Sequence, residues 1–262
     1  MGLSSTNNIS RLRDQKQTRY CLALEDDWDV HTPAIDNVTW RLSLSPQKRS
    51  LFDKRRYDNV RTNTGYLVNE HRDYTQNFYQ ADIQLTSSFD LANTLHKLTY
   101  GFQGDQTDAD FYSRRTTDNL KTGQTNTVYG IGNNFAKSKT IRADLYLQDE
   151  IKLFNERFQL SPGIRRAHYS LDPSPDKNYT VIAGSEPKKL SKNKWLPQIG
   201  TLFKLTDQYS VYGRYAEGFK MPISEQLYTS YDMGSLKMVP NPDLKPEEVK
   251  SIDFGFRGQF DK

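Results

Sequence analysis

The feature that most constrains the fold of this 262-residue chain is an alternation of apolar and polar side chains with a period of two residues. It is clearest over 140–151, where apolar residues occupy the odd positions, interrupted by Asp149, and polar residues occupy the even ones. Because side chains alternate across a strand, this pattern predicts a β-strand with one apolar and one polar face. The pattern recurs at 38–45, 79–86, 97–103, 158–165 and 251–260, and more weakly at 18–28, 195–205 and 209–219. We therefore expect about nine strands, no convincing helix and an irregular start at 1–17.

The connections between these strands alternate in length. Short ones are expected near 29–37, 90–95, 155–157 and 206–208, and long ones near 55–72, 106–139, 173–193 and 220–247. A transmembrane β-barrel has short turns at its periplasmic end and long loops outside, whereas a soluble sandwich has no physical reason to segregate them. Aromatic residues near strand ends fit the interfacial girdles of such a barrel: Phe89, Phe154, Phe158, Trp195 and Phe260. A soluble antiparallel sheet with one face in water shares the period and remains the alternative.

Nine strands are too few to enclose a water-filled interior. Large transporter barrels use about 22 strands around a plugged lumen, and open strand edges are not tolerated in lipid. The expected fold class is therefore all-β: an antiparallel transmembrane β-barrel segment of about nine strands out of roughly 22, with residues 1–262 forming part of one barrel domain.

Several other function classes are disfavoured. The net charge of +4 is small for the length, and no nucleic-acid-reading motif accompanies it, so we expect no nucleic-acid partner. A single cysteine excludes a disulfide framework, and no nucleophile elbow, HExxH or phosphate loop occurs, so no enzymatic activity is expected. A basic cluster flanks the first long loop, where it could contact lipopolysaccharide phosphates: Lys48, Arg49, Lys54, Arg55 and Arg56.

Two proline-containing boxes lie near the end of the chain. The first is Phe219, Lys220, Met221 and Pro222, and the second contains Asn241, Pro242, Asp243 and Leu244. Proline has no N–H to donate to a strand ladder and biases the preceding residue towards extended geometry, so both boxes are expected to form rigid corners. This pair resembles the F-[RK]-x-P and N-P-[ND]-L-K-P-E boxes of TonB-dependent outer-membrane receptors, and is most similar to the haem, haemoglobin and transferrin receptor branch.

The resemblance implies a location in the Gram-negative outer membrane and TonB-dependent import of haem, or of iron from haemoproteins. Haem would be the transported ligand, with no intrinsic cofactor. The implied partners are haem or a host haemoprotein, outer-membrane lipid and lipopolysaccharide, and the TonB complex, contacted through a plug domain that this sequence is expected to lack. The alternatives are a receptor for a siderophore or other metal chelate and, second, a soluble β-rich binding module.

The expected ligand-binding residues depart from the branch in one respect. Its haem receptors typically carry a haem-ligating histidine between the boxes, and none occurs at 223–240. Tyr228 and Tyr231 lie there and are candidates to bind haem iron, since tyrosinate is an axial haem ligand; the alternative is that they are packing or surface residues. Met233 and Met238 are softer candidates. His71 and His168 are expected near the outer rim, where they could contact the ligand.

Overall fold

The fold was analysed in a computed structural model, which describes residues 6–130, 135–232 and 237–259. No helix within these ranges has the length and apolar composition needed to cross a membrane. The elements are β1 (Thr6–Arg19), β2 (Leu22–Asp29), β3 (Asn37–Asn59), β4 (Thr64–Leu91), β5 (Thr94–Asn119), β6 (Thr125–Tyr129), β7 (Ser138–Leu153), β8 (Phe158–Pro173), β9 (Leu190–Lys204), β10 (Tyr209–Lys220), α1 (Ser224–Tyr228), β11 (Tyr231–Asp232), β12 (Lys237–Met238) and β13 (Glu247–Gly258).

Eleven of the strands form one antiparallel sheet with the order β1-β3-β4-β5-β7-β8-β9-β10-β13. Both β1 and β2 pair with β3, so together they fill one position, and β6 extends the sheet beside the end of β5. The sheet therefore has nine strand positions, each paired antiparallel with its neighbour in the chain, as predicted. Among the described residues, the outer edges of β1, β2 and β13 pair with no further strand.

The two faces of the sheet differ in polarity. One face, here called outward, carries exposed apolar residues such as Leu42, Leu145 and Phe254, which is 82% exposed. The opposite, inward face lines a polar cavity. On β3 the outward row is apolar from Val38 to Pro46, about 26 Å along the strand at roughly 3.3 Å per residue. These nine residues match the roughly 9–11 that a tilted transmembrane strand needs.

The four short connections expected from the sequence lie at one end of the sheet, at 30–36, 92–93, 154–157 and 205–208. Phe89 packs at this end in a ring stack with His96, at 5.0 Å between centroids. His96 Nδ1 lies 2.7 Å from the Asp149 carboxylate, which gives a partner to the acidic residue that interrupts the apolar row of β7. Phe158 and Phe203 also meet at this end, so the predicted aromatic girdle is present among the described residues; Phe260 lies outside them.

Three predictions at the other end of the sheet are wrong. The long loop expected at 55–72 is a turn at 60–63 between the extended β3 and β4. Most of the expected loop at 106–139 is also strand, because β5 continues to Asn119 and β6 follows, and 6–19 of the expected irregular start form β1. These parts extend beyond the apolar band, where water contacts both faces and no alternation is imposed. The short helix α1 was not predicted either.

Candidate functional site

The inward face of the sheet encloses a cavity of about 1830 Å³. Strands β2 to β5 form one side of its wall and β7 to β10 the other, while residues 221–225 lie across it. Its lining is rich in polar side chains, including Glu25, Arg41, Gln84, Asp105, Arg142 and Arg214. These residues occupy the polar half of the alternation, so the pattern read from the sequence corresponds to an interior filled with water.

Charged residues of the cavity wall pair across neighbouring strands. Arg142 on β7 lies 2.6 Å from the Asp105 carboxylate on β5, and Arg165 on β8 lies 3.3 Å from Asp144 on β7. Arg214 donates to the Gln198 side chain at 3.1 Å. Charges at these depths would each cost about 2–4 kcal/mol on a lipid-facing surface, and paired in an aqueous interior they avoid that cost.

A cluster of buried side chains, here called the loop core, holds the segment after β10 against β8. Tyr169 and Leu171 on β8 pack with Met221, Leu227 and Tyr228 of that segment. The remaining members of the loop core come from the neighbouring connections: Ala136 and Tyr179. Apolar contact thus draws α1 inward over the cavity.

Tyrosine hydroxyls fix the loop core in place. Tyr169 donates to the Pro222 carbonyl at 3.2 Å, and Tyr179 donates to the Tyr228 carbonyl at 3.0 Å. On the far side of α1, burial and the neighbouring Glu225 raise the pKa of Tyr74 on β4 to about 12. Helix α1 therefore contacts residues from both sides of the cavity wall.

Tyr228, one of the two predicted iron ligands, is fully buried in the loop core. Its hydroxyl donates to the Lys188 carbonyl, and burial raises its pKa above the ordinary tyrosine value. A buried neutral phenol that already donates a hydrogen bond is a poor source of tyrosinate. The backbone of Tyr231 pairs with Met238 in β11 and β12, whereas its predicted side-chain role, like that of Met233, lies outside the described residues.

The two predicted ligand-contacting histidines both lie on the outward face. His71 stacks on Phe52 at 4.2 Å between ring centroids, and its Nε2 lies 3.0 Å from the Asp73 carboxylate. His168 Nδ1 lies 2.9 Å from Asn193 Oδ1 on β9. Neither histidine lines the cavity, so neither is placed to contact a ligand inside it.

The two boxes frame the inward-folded segment. In the first, Phe219 and Lys220 end β10, Met221 is buried in the loop core, and Pro222 accepts the bond from Tyr169.

The second box forms a turn in which the Asp243 N–H donates to Asn241 Oδ1 at 3.2 Å and the Leu244 N–H donates to the Asn241 carbonyl at 3.4 Å, with Pro242 buried between them. Lys188 joins α1 to the second box, because its carbonyl holds Tyr228 and its Nζ lies 3.1 Å from Asp243. The two boxes therefore lie at the two ends of one inward-folded loop.

Sequence reasoning treated the basic cluster at 48–56 as one group, but the strand divides it. Arg49 and Arg55 lie on the inward face, while Lys48, Lys54 and Arg56 lie on the outward face. The period of two, extended past residue 45, would have separated them.

The family profile described as TonB dependent receptor-like, beta-barrel matches residues 3–262. The chain belongs to this family. Barrels of TonB-dependent receptors reside in the outer membrane, which accounts for an exposed apolar face opposite a wet interior.

Two curated relatives from other bacteria match parts of this barrel chain. "Hemoglobin-haptoglobin utilization protein B" of Neisseria meningitidis serogroup C is 30% identical over 108 residues, which are 40% of this chain and 13% of the relative. "Hemin receptor" of Yersinia pestis is 27% identical over 147 residues, 52% of this chain and 20% of the relative. The matched part thus spans a fifth or less of either relative.

Solved structures of the family share the fold. The copper transporter OprC superposes with a TM-score of 0.63 and 14% identity, covering 95% of this chain and 37% of OprC. The Serratia marcescens hemophore receptor HasR, solved with its hemophore HasA and heme, gives a TM-score of 0.55 at 14% identity, covering 91% of this chain and 42% of HasR. At these identities the likeness concerns the barrel and not its ligand.

Proposed function

We propose that this chain forms part of the barrel of an outer-membrane receptor that imports haem, or iron from a host haemoprotein, in a TonB-dependent process. The observation that carries the proposal is the sequence similarity to proteins named as hemin and haemoglobin–haptoglobin receptors. The wet inward cavity, with α1 folded across it, supplies a place for a ligand to enter. The TonB complex would act through a plug domain.

Within this proposal the iron ligand is a tyrosine of the segment between the boxes. Tyr228 is fully buried and its hydroxyl is engaged, so it could bind iron only after the loop core opens. Tyr231 carries the ligand hypothesis more directly. His71 on β4 and His168 on β8 face outward. They would contact a carrier protein rather than a ligand in the cavity.

A haemin titration of the purified full-length protein tests this function. Haemin binding with a shifted Soret band, together with TonB-dependent growth on haemin as the iron source, is the expected result. Changing Tyr231 to Phe is expected to alter the Soret band, while Tyr228→Phe leaves it in place. A folded full-length protein that leaves the haemin spectrum unchanged would overturn the proposal.

A second candidate is uptake of a siderophore or other metal chelate, because receptors for such ligands share this barrel fold. The same titration separates the two, because a receptor of this kind binds its chelate and leaves haemin free. A ferric siderophore that restores growth where haemin does not would support this candidate.

We also propose a lipid contact on the outward face above the apolar band. Lys54 and Arg56 point outward there, beside Lys48, which is paired with Asp73 at 3.2 Å. Lipopolysaccharide phosphates would bind these basic side chains. Replacing Lys54 and Arg56 by Gln is expected to lower the lipopolysaccharide that copurifies with the protein, and unchanged copurification would refute the contact.

A further inference from the structure

At the end of the sheet opposite the short connections, the inward side chains carry more positive than negative charge. Beyond the apolar band, β1, β3, β4 and β5 present seven arginines and no lysine on this face, with Asp53 and Glu70 as the acidic residues of the same rows. We call this surface the arginine wall: Arg11, Arg13, Arg19, Arg49, Arg55, Arg72 and Arg115.

The outward side of the same strands is balanced. Its rows contain five basic residues and five acidic ones. The basic ones are Lys16, Lys48, Lys54, Arg56 and Arg114, and the acidic ones are Asp14, Asp58, Asp73, Asp110 and Asp118. A solvated strand surface explains the outward mixture, whereas it does not explain an inward face with only arginine as its basic residue.

The two carboxylates in the rows of the arginine wall are each shared by two arginines. Asp53 accepts from both Arg11 and Arg13, and it is buried. Glu70 pairs with both Arg72 and Arg115. These pairs hold the guanidinium groups in position and still leave an excess of positive charge.

Of the remaining three arginines, Arg19 donates to the Ser45 hydroxyl at 2.9 Å, and aromatic rings support the other two. The Arg49 guanidinium lies 5.3 Å from the centre of the Tyr74 ring, and that of Arg55 lies 5.9 Å from the Tyr57 ring. Tyr57 in turn stacks on Tyr66 at 5.2 Å. In the part of the chain that the structure describes, neither Arg49 nor Arg55 has a carboxylate partner. Stacked, unpaired guanidiniums present flat donor groups suited to carboxylates and to planar rings.

The arginine wall leads directly into the cavity. Arg49 is a member of the wall and also lines the cavity, together with Tyr74, whose ring supports it. The wall extends about 20 Å along β3 from Arg49 to Arg55 and about 14 Å across its four strands. The resulting area of about 300 Å² is well below the roughly 800 Å² per partner of a protein–protein interface, and suits a small ligand.

We propose that the arginine wall binds the carboxylate groups of a planar aromatic dicarboxylate at the entrance of the cavity. This inference rests on the function proposed above, under which the ligand is haem and the carboxylates are its propionates. The paired guanidiniums donate charge-assisted hydrogen bonds to the carboxylates, and the stacked tyrosines contact the ring. The wall thereby selects the anionic edge of the ligand, independently of any iron ligand.

The test compares haemin with haemin dimethyl ester, in which both carboxylates are blocked, on the full-length protein in detergent. The wall variant is Arg49→Gln with Arg55→Gln. Its matched control is Lys16→Gln with Arg114→Gln, which removes the same charge from the outward face of the same group of strands. Retained shift of gel mobility on heating checks that each protein is folded.

Haemin binding is expected to weaken about tenfold in the wall variant, the effect of losing roughly one charge-assisted hydrogen bond, and to be unchanged in the control. The ester is expected to bind weakly to the unmodified protein, and its affinity for the wall variant is expected to be the same. Equal binding of haemin and ester, with no loss in the wall variant, would overturn this inference and leave the proposed function intact. Failure of the folded, unmodified protein to bind haemin would overturn both.

Discussion

Replacing Leu42 by Arg tests whether the exposed apolar face contacts hydrocarbon. Leu42 is 50% exposed on the outward side of β3, at the middle of the apolar band, with Leu24 opposite it on β2 and Ala81 on β4. On a protein surface in water, this substitution would change the free energy of unfolding by no more than about 0.5 kcal/mol. On the lipid face of a barrel at this depth it costs about 2–4 kcal/mol.

The control for this variant is Gln103→Arg. Gln103 lies on the inward face of β5 at nearly the same depth, paired with Asp144, so an added positive charge there meets an acidic neighbour. Unfolding of the full-length protein by urea in lipid vesicles, followed by heat-sensitive gel mobility, measures both free energies. The expected result is a loss of about 2–4 kcal/mol for Leu42→Arg and a change of less than about 1 kcal/mol for the control. Equal, small effects would refute the assignment of the outward face to lipid.

Three further predictions concern packing, the loop core and acid stability. Gly101→Ala is expected to cost about 1–3 kcal/mol of unfolding free energy, because its Cβ would lie 2.1 Å from the Ile83 carbonyl oxygen; Gly200→Ala, with 3.6 Å to its nearest atom, is the control, and equal urea midpoints would contradict the packing argument. Tyr228→Phe removes a buried hydrogen bond worth about 0.5–1.5 kcal/mol, so limited proteolysis at 174–189 is expected to become faster than in the exposed control Tyr20→Phe; identical cleavage rates would show that the bond does not anchor the loop. Above the apolar band, the hydrogen bond and charge of Arg11, aided by Arg13, lower the pKa of Asp53 to about 2, so its stabilising contribution is complete above about pH 4 and is lost as the pH falls towards 2. Unfolding free energies measured from pH 5 to pH 2 are therefore expected to fall more steeply than in Asp53→Asn, and parallel curves would show that the pair does not stabilise the fold.

The part of the fold within the apolar band could be predicted from the sequence, because lipid on one side and water on the other enforce alternation. Thus β3 was recognised at 38–45, where apolar Leu42 faces outward and polar Arg41 lines the cavity. The same strand beyond residue 46 was not recognised, and its end at 55–59 was read as part of a loop, since both of its faces are wet and no period is required there. β1 was missed for the same reason.

Long-range contacts set the remaining features, and no local pattern encodes them. The burial of Tyr228 depends on Tyr179 and Lys188 from a separate connection, so the sequence alone left its role open. Likewise, Asp149 interrupts an otherwise apolar row, and no local pattern explains it. Its partner in the structure is His96, more than fifty residues away in the chain. The arginine wall was hidden because its members are spread over four strands.

The most direct test of the account is a scan of single cysteines through 141–148 of β7 in a Cys21→Ser background, since Cys21 is a free, exposed thiol. Each variant of the full-length protein in lipid vesicles is treated with a water-soluble maleimide. We expect the even, inward positions to react and the odd, outward positions to be protected, with a period of two. Reaction at the odd positions, or equal reaction throughout, would contradict a barrel wall with lipid outside and water within.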